Sequence, residues 1–155
     1  MGAVKRMRDV TLKDVTEDNW RAVIGLRLDR DQEDLVASNL YSIAESKFDP
    51  DARPRAVYAG KRLVGFLMYD VQQKKDKSRS ALIYRFMIDR KHQAKGYGRA
   101  ALRTALDEIR AIRRMKKVRV GYMPENTVAK ALYASFGFVE VGKDADGEII
   151  AELAL

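Results

Sequence analysis

Ile88-Asp89-Arg90-Lys91-His92-Gln93-Ala94-Lys95-Gly96-Tyr97-Gly98-Arg99 joins two hydrophobic patterns of different period. Ahead of it runs Ala81-Leu82-Ile83-Tyr84-Arg85-Phe86-Met87-Ile88, almost continuously apolar, as a central strand covered on both faces is. Behind it Leu102, Ala105, Leu106, Ile109 and Ile112 recur at helical spacing and predict a helix over about 98–115. The glycines stand where that helix begins, so its first amide N–H groups, which have no partner inside the helix, point into the loop. Glycine lets a bound group approach the backbone, and Arg90, Lys91, Lys95, Arg99 and Arg103 gather positive charge around the helix start. A strand, a basic glycine loop and a helix in that order make an anion site of pyrophosphate size.

Context sets two other phosphate loops aside. Gly96-Tyr97-Gly98-Arg99-Ala100-Ala101 satisfies the G-x-G-x-x-G/A dinucleotide pattern, but that fold places its first glycine directly after the strand and an acidic residue about 20 positions on. Here residues 89–95 intervene, and no acid follows Met115 until Glu125. A P-loop needs Gly-Lys-Ser/Thr, which the segment lacks. On these residues alone a solvated basic turn stays open as the plain alternative.

Towards the N-terminus, Ala56–Ala59 and Leu63–Tyr69 flank a Gly60-Lys61 turn and predict a hairpin, with the charged run 72–77 as the next exposed turn. Before it, Val10–Val15 reads as a first strand, and Thr16-Glu17-Asp18 as the cap of a helix carrying Trp20, Val23, Ile24 and Leu28. A second helix is expected from about 34 to 48, with Leu35, Val36, Leu40 and Ile43 as its apolar stripe, ended by the proline-bearing stretch 49–54. Towards the C-terminus follow a strand at Val118–Tyr122 and a short helix capped by Asn126 and ending near Phe136. Two strands, 138–141 and 148–155, then meet across Asp146-Gly147.

The chain has 155 residues, a size that suits one domain, with residues 1–8 expected as a flexible extension. Without cysteine and with a single histidine, disulfides, thiolate nucleophiles and the usual zinc sites are excluded, and no metal is expected. No apolar run reaches membrane-spanning length, so the protein is expected to be cytoplasmic with no membrane partner. A net charge of +8 calls for an anionic partner. The basic residues are spread along the chain, their best cluster lies at a mononucleotide-sized loop, and no helix-turn-helix or RNA-binding signature appears, so nucleic acid is not the expected partner.

The strand followed by Gln93-x-x-Gly96-x-Gly98 and a long helix resembles the hallmark of the GNAT acetyltransferase superfamily, Q/R-x-x-G-x-G/A. A second block, Pro124-Glu125-Asn126-Thr127-Val128-Ala129-Lys130-Ala131-Leu132-Tyr133-Ala134-Ser135-Phe136-Gly137-Phe138, is similar to the family's Asn, Ala, Leu-Tyr and Gly-Phe spacing. The resemblance covers essentially the whole chain. It implies an α+β fold: a mixed, mostly antiparallel central sheet of about seven strands flanked by about four helices. It departs from the family at Ala94, where many members have glycine, and near Arg90, where many have proline.

What the resemblance implies for the site is specific. Acetyl-CoA lies where the fourth and fifth strands splay apart, its pantetheine pairing with the backbone of Phe86, Met87 and Ile88. Its pyrophosphate rests on Gln93, Ala94, Lys95, Gly96, Tyr97, Gly98 and Arg99. Asn126 contacts the cofactor arm, Lys130 is a candidate for a cofactor phosphate, and Tyr133 is the acid that protonates the leaving thiolate. Finer segments, Gln32–Asn39, Val64–Tyr69 and Tyr84–Asp89, are similar to bacterial diamine, spermidine and spermine acetyltransferases.

An amine acceptor resembling lysine has a pKa of about 10.4, so it must lose a proton before it attacks the thioester. Glu33 and Tyr84, or solvent, are the candidates for that base, and Glu33, Tyr84 and Arg85 for contact with substrate. The acids Asp29, Asp31, Glu33, Asp34, Asp49 and Asp51 would attract a polycation, or form a solvated face; Arg85 would pair with one of them or line the acceptor site. Alternatives on the same fold are another amine acceptor, an acyl-CoA sensor without turnover, or a nucleic-acid module. A homodimer is expected from the family.

Overall fold

The computed structural model describes residues 9–73 and 79–155. The expected extension at 1–8, and most of the charged turn at 72–77, lie outside the described residues.

Seven strands form one sheet in the order β1-β2-β3-β4-β5-β7-β6. They are β1 (Thr11–Asp14), β2 (Ala52–Ala59), β3 (Arg62–Asp70), β4 (Ser80–Ile88), β5 (Lys117–Tyr122), β6 (Val139–Lys143) and β7 (Ile149–Ala154). The β2–β3 hairpin turns at Gly60, whose φ of +61° is where glycine carries no steric penalty. Every neighbouring pair is antiparallel except β4 and β5. A parallel pair needs a long crossover, and α3 (Tyr97–Arg110) supplies it.

Both faces of the sheet are covered. On one, Leu102, Leu106 and Ile109 of α3 and Tyr133 of α4 (Thr127–Ser135) pack on Ile83, Val118 and Val120. On the other, Val23 of α1 (Trp20–Gly25) and Ile43 of α2 (Asn39–Ser46) meet Phe66, Met68 and Met87. Each fully buried leucine or isoleucine contributes about 1.5–3 kcal/mol. Polar ties reinforce the first layer: the Arg55 guanidinium lies 2.6 Å from the Glu108 carboxylate on α3, which also accepts the Tyr69 hydroxyl at 2.6 Å.

Three expectations need correction. The second helix is shorter than 34–48: Glu33–Leu35 form a separate 3-10 turn, and α2 starts only where the Ser38 hydroxyl accepts the Tyr41 N–H at 3.1 Å. Its supposed stripe is misplaced, since Leu40 is 56% exposed while Asn39 and Ser42 are buried. Both polar groups are satisfied by backbone, Asn39 donating to Val23 O at 3.0 Å and Ser42 to Ser38 O at 3.0 Å, which is why they are tolerated inside. α1 is capped at Asn19 instead of 16–18: the Thr16 N–H donates to Asn19 Oδ1 at 2.7 Å, and Leu28 falls beyond the helix. α3 ends at Arg110, short of 115, where tighter turns follow: Ile112 N–H donates to Ile109 O at 3.0 Å and Met115 N–H to Ile112 O at 3.2 Å. Among the described residues no helix is long and apolar enough to cross a membrane.

Candidate active site

β4 and β5 pair only from Ser80↔Lys117 to Ile83↔Val120. Beyond that, Arg85–Ile88 stay paired with β3 on one side while the side towards β5 has no strand partner among the described residues. Backbone N–H and C=O groups on such an open edge need a partner, which water or an extended ligand can supply. The register skips Tyr84, since Met68 faces Arg85 and Tyr69 faces Ile83, so Tyr84 is the extra residue of a β-bulge. Consecutive residues of a strand normally point to opposite faces; the bulge puts Tyr84 and Arg85 on one face, the guanidinium 4.8 Å from the ring centre. Past it alternation resumes, with Phe86 and Ile88 towards α3 and Met87 towards α1 and α2.

The loop after β4 is stapled by its own side chains. Asp89 accepts the Arg27 N–H at 2.8 Å and the Lys91 N–H at 3.3 Å, and Gln93 donates to Ile88 O at 3.0 Å and to Gln32 Oε1 at 2.9 Å. Gln93 thus ties the loop both to the end of β4 and to the α1–α2 linker. Ala94 at φ +59° and Gly96 at φ +88° are both left-handed, just ahead of α3. For Ala94 that conformation costs roughly 1–2 kcal/mol, the physical content of its departure from glycine. A Cβ on Gly98 would meet only Ile88 Cγ1 at 3.8 Å, so packing within the protein does not demand glycine there and room is left at the helix start.

The surrounding cations are less concentrated than the sequence suggested. Arg99 and Arg103 lie over the Phe136 ring at 5.4 Å and 5.8 Å, and Lys95 donates to Lys91 O at 3.3 Å. Tyr97 is buried beside His92, whose Nδ1 is buried with no hydrogen-bond partner among the described residues. Asn126 does cap its helix, its side-chain oxygen accepting the Ala129 N–H at 3.1 Å, and Lys130 leans towards Glu140 at 3.7 Å.

Tyr133 is 4% exposed, its ring 5.5 Å from both Tyr122 and Phe138. Burial raises its pKa well above the usual phenol value, with smaller contributions from Tyr122 and Glu148, so it stays a protonated donor. A thiolate beside it would suffer the same desolvation, so what matters for proton transfer is their relative shift.

Next to the bulge lies a cavity of about 380 Å³ lined by Glu45, Phe48, Asp49, Asp70, Gln72, Leu82 and Tyr84. Carboxylate oxygens of Asp49, Asp51 and Asp70 lie within 4.8 Å of one another. Burial and then the negative Glu45 and Asp70 push the Tyr84 phenol up, against the pull of Arg85. The phenol is therefore held in its protonated form. Arg85 pairs with Glu45 at 3.5 Å, an acid outside the set considered for it. Of the acidic segment only Asp49, with Asp51 beside it, reaches this cluster; Glu33 sits exposed on the 3-10 turn and does not line the cavity. Glu45 and Asp70 went unnoticed because one ends a helix and the other a strand, and no local motif links them.

The acetyltransferase (GNAT) family model matches residues 12–138. The chain belongs to the acetyltransferase (GNAT) family. It is 29% identical, over 143 residues, to a spermine/spermidine N(1)-acetyltransferase of Bacillus subtilis, covering 90% of this chain and 94% of that protein. Solved structures with the same fold include spermidine N-acetyltransferase from Vibrio cholerae in complex with CoA and spermine, with TM-score 0.73, 22% identity and 95% of each chain covered. An aminoglycoside acetyltransferase in complex with coenzyme A superposes with TM-score 0.79 at 15% identity, over 94% of this chain and 95% of that one. The expected α+β fold and the enzyme class therefore hold: the chain is a GNAT acetyltransferase built on a seven-stranded, mostly antiparallel sheet with four α-helices among the described residues.

Proposed function

We propose that this enzyme transfers the acetyl group of acetyl-CoA to a primary amine of a polyamine such as spermidine or spermine. The observation that carries this reading is the acidic cavity opening at Tyr84, directly beside the splay of β4 from β5. A polyamine carries several ammonium groups, and Glu45, Asp49 and Asp70 offer it negative charge in a partly desolvated space where attraction is less screened. The names of the relatives from Bacillus subtilis and Vibrio cholerae support the same acceptor class.

In this reading acetyl-CoA supplies the activated thioester. The amides of residues 93–98 and the start of α3 hold its pyrophosphate, helped by Arg99, with Asn126 and Lys130 along the arm. The open edge at Phe86, Met87 and Ile88 holds the pantetheine as an extra strand, and one of those N–H groups stabilises the oxyanion. Tyr133 gives its proton to the departing sulfur. Glu33, although exposed, stays a residue for acceptor contact along the linker, and Arg85 holds Glu45 in place. No metal is required for these steps, and the setting is cytoplasmic. Strand β6, an edge with Val139 and Val141 exposed, offers a surface for pairing two copies.

The test is release of free thiol from acetyl-CoA across spermidine, spermine, putrescine, aminoglycosides, amino acids and short peptides, with controls lacking acceptor. Release led by spermidine or spermine is expected. An aminoglycoside is the second reading, because it too is a polycation and a member of that class shares the fold. Release led by aminoglycosides, with polyamines inert, would replace the first reading by the second.

A further inference from the structure

We propose that Glu148, seated on Gly121 at the root of the splay, is the general base that takes the proton from the acceptor ammonium. The inference rests on the amine-acetylation reading above and adds a residue that no motif in the sequence points to.

The geometry begins with Gly121. It is the first residue of β5 beyond the last pair with β4, Ile83↔Val120, so it lies where the two strands part. A Cβ built on Gly121 would stand 3.0 Å from Glu148 Oε2 and 3.9 Å from Glu148 Cδ. The carboxylate therefore reaches over Gly121, into space that a side chain at position 121 would begin to fill. Its face follows from register: Tyr122 and Ile149 are paired and both belong to the core under α3 and α4, so Gly121 and Glu148, one step back, present to the opposite face. That is the face of Tyr84, Arg85 and the acidic cavity, from which an amine would arrive.

The backbone holds this position. Glu148 N–H donates to Asp144 Oδ1 at 2.9 Å and Glu148 O accepts the Asp144 N–H at 2.9 Å, closing the β6–β7 turn around it. A second, independent sign of an incomplete polar site is Arg85, whose Nε is buried with no hydrogen-bond partner among the described residues. The charged and titratable groups acting on Glu148 are Asp144 and Asp146 of the turn and Arg85 of β4, and Glu148 in turn acts on the buried Tyr133 of α4. Burial first, then Asp144, raise the Glu148 carboxyl above its ordinary value against the pull of Arg85, which makes it a stronger base than an exposed acid. The alternatives are weaker: Glu33 is exposed on its turn and Tyr84 is held protonated.

The step balances as follows. The Glu148 carboxylate takes one proton from the ammonium and later releases it to solvent. The freed nitrogen lone pair forms the C–N bond at the thioester carbonyl, giving a tetrahedral oxyanion. As the C–S bond breaks, Tyr133 protonates the sulfur, and the resulting phenolate recovers its proton from the new amide nitrogen. The products are the N-acetyl amine, coenzyme A thiol and one proton.

The experiment compares wild type, Glu148→Gln and Gly121→Ala in the full chain, with acetyl-CoA and spermidine. Glu148→Gln keeps shape and should lower kcat/KM at pH 7 by about 100-fold or more, the usual scale of general-base catalysis. Its residual rate should keep climbing to about pH 10 with the free amine, whereas the wild-type rate levels off once Glu148 is ionised. Gly121→Ala brings a Cβ to 3.0 Å from Glu148 Oε2, so the carboxylate must give way by a few tenths of an ångström, and it should cost about 10-fold with Glu148 still present. Thermal melting checks that each variant folds. A folded Glu148→Gln with wild-type rate and pH profile overturns the proposal; if that variant does not fold, a folded Gly121→Ala with wild-type rate overturns it. A wild type inactive with every amine overturns the acetylation reading and this inference together, while an active wild type matched by Glu148→Gln overturns the inference alone.

Discussion

The loop at residues 89–98 and the cavity at Glu45, Asp49 and Asp70 present opposite charge and are built in opposite ways. The loop offers backbone amides, shaped by left-handed residues at Ala94 and Gly96 and pinned by Asp89 and Gln93 from within a few residues. The cavity offers side-chain carboxylates from α2, the loop after it and β3, brought together by strand register. Amides so fixed are preorganised, whereas carboxylates attract at longer range and discriminate less. The first arrangement suits a cofactor bound in one pose, the second an amine of variable length.

Tyr133 tests the largest effect. Tyr133→Phe should lower turnover about 100-fold and leave acetyl-CoA affinity unchanged, because it removes the proton donor and keeps the buried ring. Steady-state kinetics beside calorimetric binding would check this, and unchanged turnover would remove Tyr133 from the mechanism. The cavity comes next. Asp70→Asn keeps an oxygen that can accept the Gln72 N–H and removes one charge; spermidine KM should rise roughly 5- to 10-fold with kcat within about twofold, and added salt should shrink the difference. If acetyl-CoA affinity fell instead, the separation of the two regions would be wrong.

The smallest effect belongs to the loop. Ala94→Gly removes a left-handed strain of about 1–2 kcal/mol, offset by about 0.4–1 kcal/mol of extra freedom in the unfolded chain, for a net gain of about 0.8 kcal/mol in denaturant unfolding. A loss of stability at that position would mean that Ala94 is not strained.

How much of this was legible follows from the same contrast. The hairpin at Gly60, the strand-loop-helix at 81–110 and the Asn126 cap are local, each specified by residues within a turn or two. The second helix was misjudged because apolar spacing cannot say which face will be covered, and here Asn39 and Ser42 went inside on borrowed backbone partners. The partner of Arg85 was misjudged because the bulge at Tyr84 moves Arg85 to the face shared with Glu45.

The amino-acid sequence by itself determined the family, the order of the elements and the glycine loop ahead of α3, because glycine conformation and helix-end amides depend on neighbours along the chain. Only the tertiary structure decided where the acids meet. Glu148 lies on Gly121, and Glu45 and Asp70 share a cavity, through strand register and one β-bulge. A slip of one residue in either would send those side chains to the other face of the sheet, and no local pattern records that choice.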